Sequence, residues 1–264
     1  MKSVSKTLVA TLVGIAIDRG VIQGVDQRVT PVLGVPAGAD PRVQALTVED
    51  LLTMRAGLAR TSGPGYGAWV ESRDWVDYVL TRPFVGEPGG RMLYSTGDYH
   101  LLAALLTEAS GRSLLALARD WLGKPLGIEI PPWTRDPQGI YMGGNNMGLT
   151  PRALLRFGEL WRRGGVWDGQ RVVSRAWIEA SWRPRTRSPF SGHDYGYGWF
   201  IASAAGRRVC YARGYGGQLV YVLPELAATV VMTSDPTLPA RSGGYIDDLH
   251  GLLTGAILPA FGSG

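Results

Sequence analysis

Residues 91–114 read RMLYSTGDYHLLAALLTEASGRSL, and the triplet Tyr94-Ser95-Thr96 stands just ahead of an apolar rhythm at Leu101, Leu102, Leu105 and Leu106. That spacing predicts a helix from Gly97 to Ala109, ended by Gly111. A phenol and two hydroxyls are therefore gathered at the start of a buried helix. What they serve depends on two further stretches, one on each side in the sequence.

The first is the chain's opening, MKSVSKTLVATLVGIAI, with Ser3-Val4-Ser5-Lys6 at the head of an apolar helix predicted over residues 4–20. One helical turn separates Ser3 from Lys6, which puts the amine within reach of the hydroxyl. At a helix N-terminus the serine's own N–H is free to face a developing oxyanion. A desolvated lysine loses its proton near neutral pH and can then deprotonate a serine, which arginine cannot do. The alternative reading makes Ser3 an N-cap beside a solvated Lys6. The second stretch, YARGYGGQLVYVLPEL at residues 211–226, reads as a strand ending in glycines and a new strand beginning.

Taken together and in this order, the three stretches resemble the class C β-lactamase-like serine hydrolases, a group that includes related esterases, D-aminopeptidases and aminohexanoate-oligomer hydrolases. The family pattern is S-x-x-K, then Y-[SA]-N, then a K-T-G or H-x-G strand. LTVEDLLTMRAGL (46–58), GGNNMGLTPRALLRFGELWRRGG (143–165) and YGYGWF (195–200) extend the likeness along the chain. The resemblance implies an α/β (α+β) fold of the β-lactamase/transpeptidase type: an antiparallel sheet flanked by helices, plus a mostly helical subdomain. Ser3 would be the acylated nucleophile, Lys6 its base, and Tyr94 the group that protonates the leaving atom. The backbone N–H groups of Ser3 and Tyr215 would form the oxyanion hole. Thr96, Asn145, Arg213, Gly214 and Gly216 would contact substrate.

Two departures from the pattern bear on specificity. Thr96 stands where the family has asparagine, keeping a hydroxyl but losing an amide. Ala212-Arg213-Gly214 aligns with K-T-G, so the family's lysine is absent. Each residue also has a plainer reading: Tyr94 as a packed aromatic, Arg213 as a solvent-facing strand residue, and Asn145 and Asn146 as turn formers.

Composition bounds the rest. With 264 residues, 45% hydrophobic and 19% charged, the chain can bury a substantial core. One cysteine, Cys210, excludes an internal disulfide and leaves the compartment open. The net charge of +5 comes from scattered arginines, which argues against a nucleic-acid stripe. There is no G-x-S-x-G elbow and no phosphate-binding glycine loop. His100, His193 and His250 are far apart in sequence and lack metal-ligand spacing, so neither metal nor cofactor is expected. The apolar run Leu8–Ile17 is too short to span a membrane.

Helices are predicted from Thr47 to Arg55, Trp75 to Leu80, Leu114 to Leu122, Pro151 to Arg163, Ser174 to Trp182 and Tyr245 to Leu258. Strands are predicted at Tyr195–Ala202, Arg207–Arg213, Gln218–Leu223 and Ala228–Ser234, spaced closely enough to be antiparallel. This divides the chain into a mostly helical 1–170, carrying the first two motifs, and a sheet with a C-terminal helix over 171–264, the two forming one unit. Family members carry several dozen residues before S-x-x-K, so the first helix and strands are expected to be missing. The nucleophile would then start beside a mobile terminus, and Ala228–Ser234 would present an unpaired edge. The functional expectation is a serine hydrolase of a small ester or amide, more esterase or small-amide hydrolase than β-lactamase or D-aminopeptidase. A non-catalytic member of the same fold is the alternative.

Overall fold

The computed structural model describes residues 1–235 and 244–261. Its first helix, α1 (Val4–Asp18), is buried from Val4 to Ala16 on every side, as its nearly continuous apolar sequence requires. α2 (Thr96–Ser110) follows the Tyr94 motif and ends on Gly111 in the left-handed conformation, which glycine adopts without steric cost. α3 (Pro151–Arg162) begins with the Thr150 hydroxyl accepting from Ala153 N and with proline in its first turn. Between these helices lie short segments, among them Val48–Leu52, whose Thr47 and Asp50 form a reciprocal capping box, and Trp75–Leu80, capped by Asp74.

Six strands form one antiparallel meander in sequence order: β1 (Thr186–Arg187), β2 (Asp194–Tyr195), β3 (Phe200–Ala204), β4 (Arg207–Gly214), β5 (Gln218–Leu223) and β6 (Ala228–Met232). A separate hairpin pairs Val166–Trp167 with Gln170–Arg171. Register puts Phe200, Tyr211 and Tyr221 side by side on one face. That face is covered by the last long helix, α4 (Tyr245–Leu252), whose His250 Nδ1 lies 2.9 Å from the Tyr221 hydroxyl. Val220 and Thr229 point the other way, against Gly158 of α3. The sheet is therefore the middle of three layers, and α1 packs between it and α2.

The antiparallel sheet flanked by helices matches the expected fold, with local corrections. The strand expected at Tyr195–Ala202 is split, because Gly196–Gly198 turns inward. Gly198 has φ +77°, and a Cβ there would meet Ala10 Cβ at 2.7 Å, while its carbonyl accepts from Thr7 Oγ1 at 2.6 Å. The helix expected over Leu114–Leu122 stops at Ala118 and passes into a π turn over Arg119–Gly123; that expected over Tyr245–Leu258 does the same over Leu253–Ile257. Among the described residues, no single helix is long and apolar enough to cross a membrane.

Candidate active site

Ser3 is the N-cap of α1 in position only: its side chain makes no capping hydrogen bond. Its hydroxyl instead receives Lys6 Nζ at 3.0 Å. Lys6 is 1% exposed, so the solvated-lysine alternative does not hold. Its amine also meets Gly144 O at 2.8 Å and Thr96 Oγ1 at 3.2 Å, and sits 4.9 Å from the Tyr94 ring centroid. Burial brings the Lys6 pKa down to about 7, against the opposing pull of Asp98. Burial likewise raises the Tyr94 phenol, offset in part by its hydrogen bond to the Ser3 side chain and by the nearby charges of Arg213 and Arg60. At neutral pH the geometry thus holds a hydroxyl, an amine able to accept a proton and a phenol that keeps one.

Ser3 and Tyr94 open on a cavity of about 190 Å³, shared with Ser188, Phe190, Phe200, Arg213, Gly214 and Tyr215. The turn from β4 into β5 reaches this wall because residue 214 is glycine: a Cβ there would lie 3.2 Å from Ser3 N and would collide with Met1 O. Residues remote in sequence, from both expected regions of the chain, therefore converge on one space.

A family model described as Beta-lactamase matches residues 1–253. The chain belongs to the beta-lactamase family. The 6-aminohexanoate-dimer hydrolase of Paenarthrobacter ureafaciens is 26% identical over 98% of this chain and 70% of its own length. A fimbrial assembly protein FimD (serogroup H1) of Dichelobacter nodosus is 31% identical over 45% of this chain, which spans 31% of that protein. Among solved structures, EstCE1, a hydrolase with promiscuous acyltransferase activity, superposes with TM-score 0.77 at 18% identity, covering 96% of this chain and 84% of EstCE1. The octameric penicillin-binding protein homologue of Pyrococcus abyssi gives 0.73 at 19%, over 98% of this chain and 65% of its own.

Against this beta-lactamase-family frame, the remaining expected residues fall in different places. Thr96 touches Lys6 directly. Asn145 follows the Gly144 carbonyl; its amide reaches the Tyr66 hydroxyl at 3.4 Å, and its Oδ1 is buried without a partner among the described residues. Asn146 has φ +63° and donates to Thr134 Oγ1, which suits its turn reading. Gly216 lies behind the cavity wall, where its carbonyl takes Gln218 Nε2 at 3.0 Å. The Met1 ammonium donates to Met147 O at 2.9 Å, and Met1 packs on the core.

Several residues packed around Ser3, Lys6 and Thr96 carry no motif. Ser5 donates to Lys2 O and accepts from Met147 N at 3.1 Å, tying the Gly143–Met147 loop to the first turn of α1. Ser62 lies 2.8 Å from Thr96 Oγ1 and accepts the Thr96 N–H at 2.8 Å. Asp98, buried beneath Lys6, is raised well above the usual carboxylate range by that burial. Ser188 and Phe190 come from the β1–β2 turn, which short polar sequence did not distinguish from loop. His100 pairs with Asp136 at 3.0 Å in the core, while His193 and His250, far apart in sequence, bring their rings within 5.9 Å. Among the described residues no cluster of His, Cys, Asp and Glu is arranged to hold a metal ion.

Proposed function

We propose that this chain is a serine hydrolase that cleaves a small ester or amide through an acyl-enzyme on Ser3. The observation that carries the reading is the Ser3 hydroxyl set 3.0 Å from a buried amine whose pKa is about 7, with the Tyr94 phenol bonded to the same oxygen. Lys6 accepts the Ser3 proton as Oγ bonds to the substrate carbonyl carbon. The N–H groups of Ser3 and Tyr215 stabilise the oxyanion. Tyr94 passes its proton to the leaving oxygen or nitrogen as the carbonyl–leaving-group bond breaks, and is reprotonated from Lys6. Water then attacks the acyl-enzyme, giving one proton back to Ser3 and releasing the carboxylic acid. Thr96 in place of asparagine and Ala212 in place of the K-T-G lysine favour a carboxylesterase or small-amide hydrolase over a β-lactamase. The relatedness to an aminohexanoate-dimer hydrolase supports the same side.

The test is covalent labelling with a fluorophosphonate probe and mapping of the adduct by mass spectrometry. Label on Ser3 that disappears in Ser3→Ala and Lys6→Ala is the expected result. A folded, unlabelled chain would exclude catalysis by it. Rates on a short-chain nitrophenyl ester and a chromogenic cephalosporin separate the two substrate classes, and a strong preference for the cephalosporin would reverse the esterase assignment.

A further inference from the structure

The ladder between β4 and β5 ends at the Gly214–Gln218 pair, so Tyr215, Gly216 and Gly217 stand beyond it. Gly216 and Gly217 both take positive φ, +75° and +74°. Two glycines in succession hold no direction of their own, because glycine loses more freedom on ordering than any other residue. Yet Tyr215, just ahead of them, lines the cavity at Ser3, and its N–H must point at one atom to serve an oxyanion. Contacts from outside the turn have to fix it.

Those contacts come from behind the cavity wall. Gln218 is buried, and its Nε2 donates to Gly216 O at 3.0 Å and to the carbonyl of Ser234, just past the end of β6. An amide nitrogen has two hydrogens and both carbonyls can only accept, so the Gln218 side chain is held in one orientation. Ser234 is held in turn, because its hydroxyl receives the Tyr245 hydroxyl of α4 at 2.6 Å. Tyr245 and Leu249 also close over the turn: a Cβ on Gly217 would lie 2.6 Å from Tyr245 Cε1 and 3.0 Å from Leu249 Cδ1. α4 itself is pinned to the sheet further along, where His250 meets Tyr221. Gln218, Ser234 and Tyr245 do not line the cavity, so they reach it only through the turn.

We propose that Gln218, Ser234 and Tyr245 are positioning residues, a clamp that aims the Tyr215 N–H and makes α4 part of the support of the oxyanion hole. The inference rests on the acyl-enzyme reading above, in which that N–H stabilises the oxyanion. A misaimed donor weakens an interaction made only in the transition state, so kcat falls while KM holds.

Two variants test this. Gln218→Met keeps the length of the side chain and removes both donors; Tyr245→Phe removes one hydroxyl and keeps the ring over Gly217. On a nitrophenyl ester, kcat should fall about tenfold in the first, short of the roughly 100-fold that outright loss of a donor costs. In the second it should fall about threefold, the scale of one hydrogen bond. KM and the pH midpoint set by Lys6 should stay in place. The matching thionoester supplies the readout that a general loosening would not move. Its sulfur is a weak hydrogen-bond acceptor, so it draws little on the oxyanion donors. The ester-to-thionoester rate ratio should therefore drop in both variants, and a ratio equal to that of the wild type would overturn the clamp. Deuterium uptake keeps the question separate from catalysis. In a Ser3→Ala background, exchange across residues 214–218 should rise in both variants while that of α1 stays the same. Unchanged exchange at the turn would overturn the proposal. A chain whose Ser3 takes no fluorophosphonate fails the acyl-enzyme reading instead, and the exchange result still decides whether the turn is clamped.

Discussion

The Lys6 amine has three neighbours and, once neutral, only two N–H groups to give them. Gly144 O can only accept. If Thr96 also accepts, the lone pair of Lys6 is left facing Ser3, which is the polarity that proton abstraction needs. Ser62 decides this, because a Thr96 hydroxyl that donates to Ser62 cannot donate to Lys6. Ser62→Ala should therefore lower kcat about tenfold, on the scale of a misdirected general base, with KM little changed. It should also move the rising limb of the pH profile to lower pH, and Ser62→Thr should restore both. In a Thr96→Val background the Ser62 effect should vanish; a loss that persists there would assign Ser62 a purely structural part. In the unmodified chain the rate should rise with pH through about 7, where Lys6 loses its proton, and Lys6→Arg should abolish it. A flat profile from pH 5 to 9 would contradict that role for Lys6. The Ser3–Lys6 spacing was legible because it is a local, one-turn relation. Ser62 and Asp98 were not, because nothing in a sequence says which hydroxyl or carboxylate will be folded against an amine.

At the scale of elements, helix starts coincide with caps: Thr47, Asp74, Ser113, Thr150 and Ser174 each accept a backbone N–H of the first turn. Strand limits were harder. Residues 195–202 alternate aromatic and small side chains like a strand, but Gly198 is drawn out of line by α1, a tertiary contact that propensity cannot contain. The β1–β2 pair escaped notice because two-residue strands have no period to read. Contacts between layers give the clearest mutational handle. A Cβ on Gly158 would lie 2.5 Å from Thr229 Cγ2 and 3.0 Å from Val220 Cγ1, pressing α3 off β5 and β6. Gly158→Ala should cost about 1–2 kcal/mol, an overpacking penalty partly offset by alanine's better helix propensity. Urea unfolding measures it, and an unchanged or raised midpoint would show that α3 has room there.

For the whole molecule, the buried amine at the site sets a pH dependence of stability. Lys6 has its pKa lowered from 10.5 to about 7 in the folded chain, so between those values the unfolded state binds more protons. Its contribution to stability therefore rises with pH across that window, at most about 1.4 kcal/mol per unit, and the penalty is largest below about 7. Subtracting a Lys6→Met variant isolates this slope from other groups. Wild type and variant should differ least at pH 10 and most near pH 7, with parallel curves arguing against a desolvated lysine. The overall architecture was legible because three motifs in a fixed order imply one topology. The groove beside Tyr94, lined by Arg60, Arg91 and Phe190, was not, since these residues meet only in three dimensions.

One consequence concerns how such a site fails. Ser3 rides on α1, a helix without a wet side, and the Met147 strap and the Gly214 turn close on its first turn. Loosening Ser3 means loosening the centre of the core. Inactivation and collapse of the fold should then coincide in one cooperative event, with no dormant, intact scaffold in between.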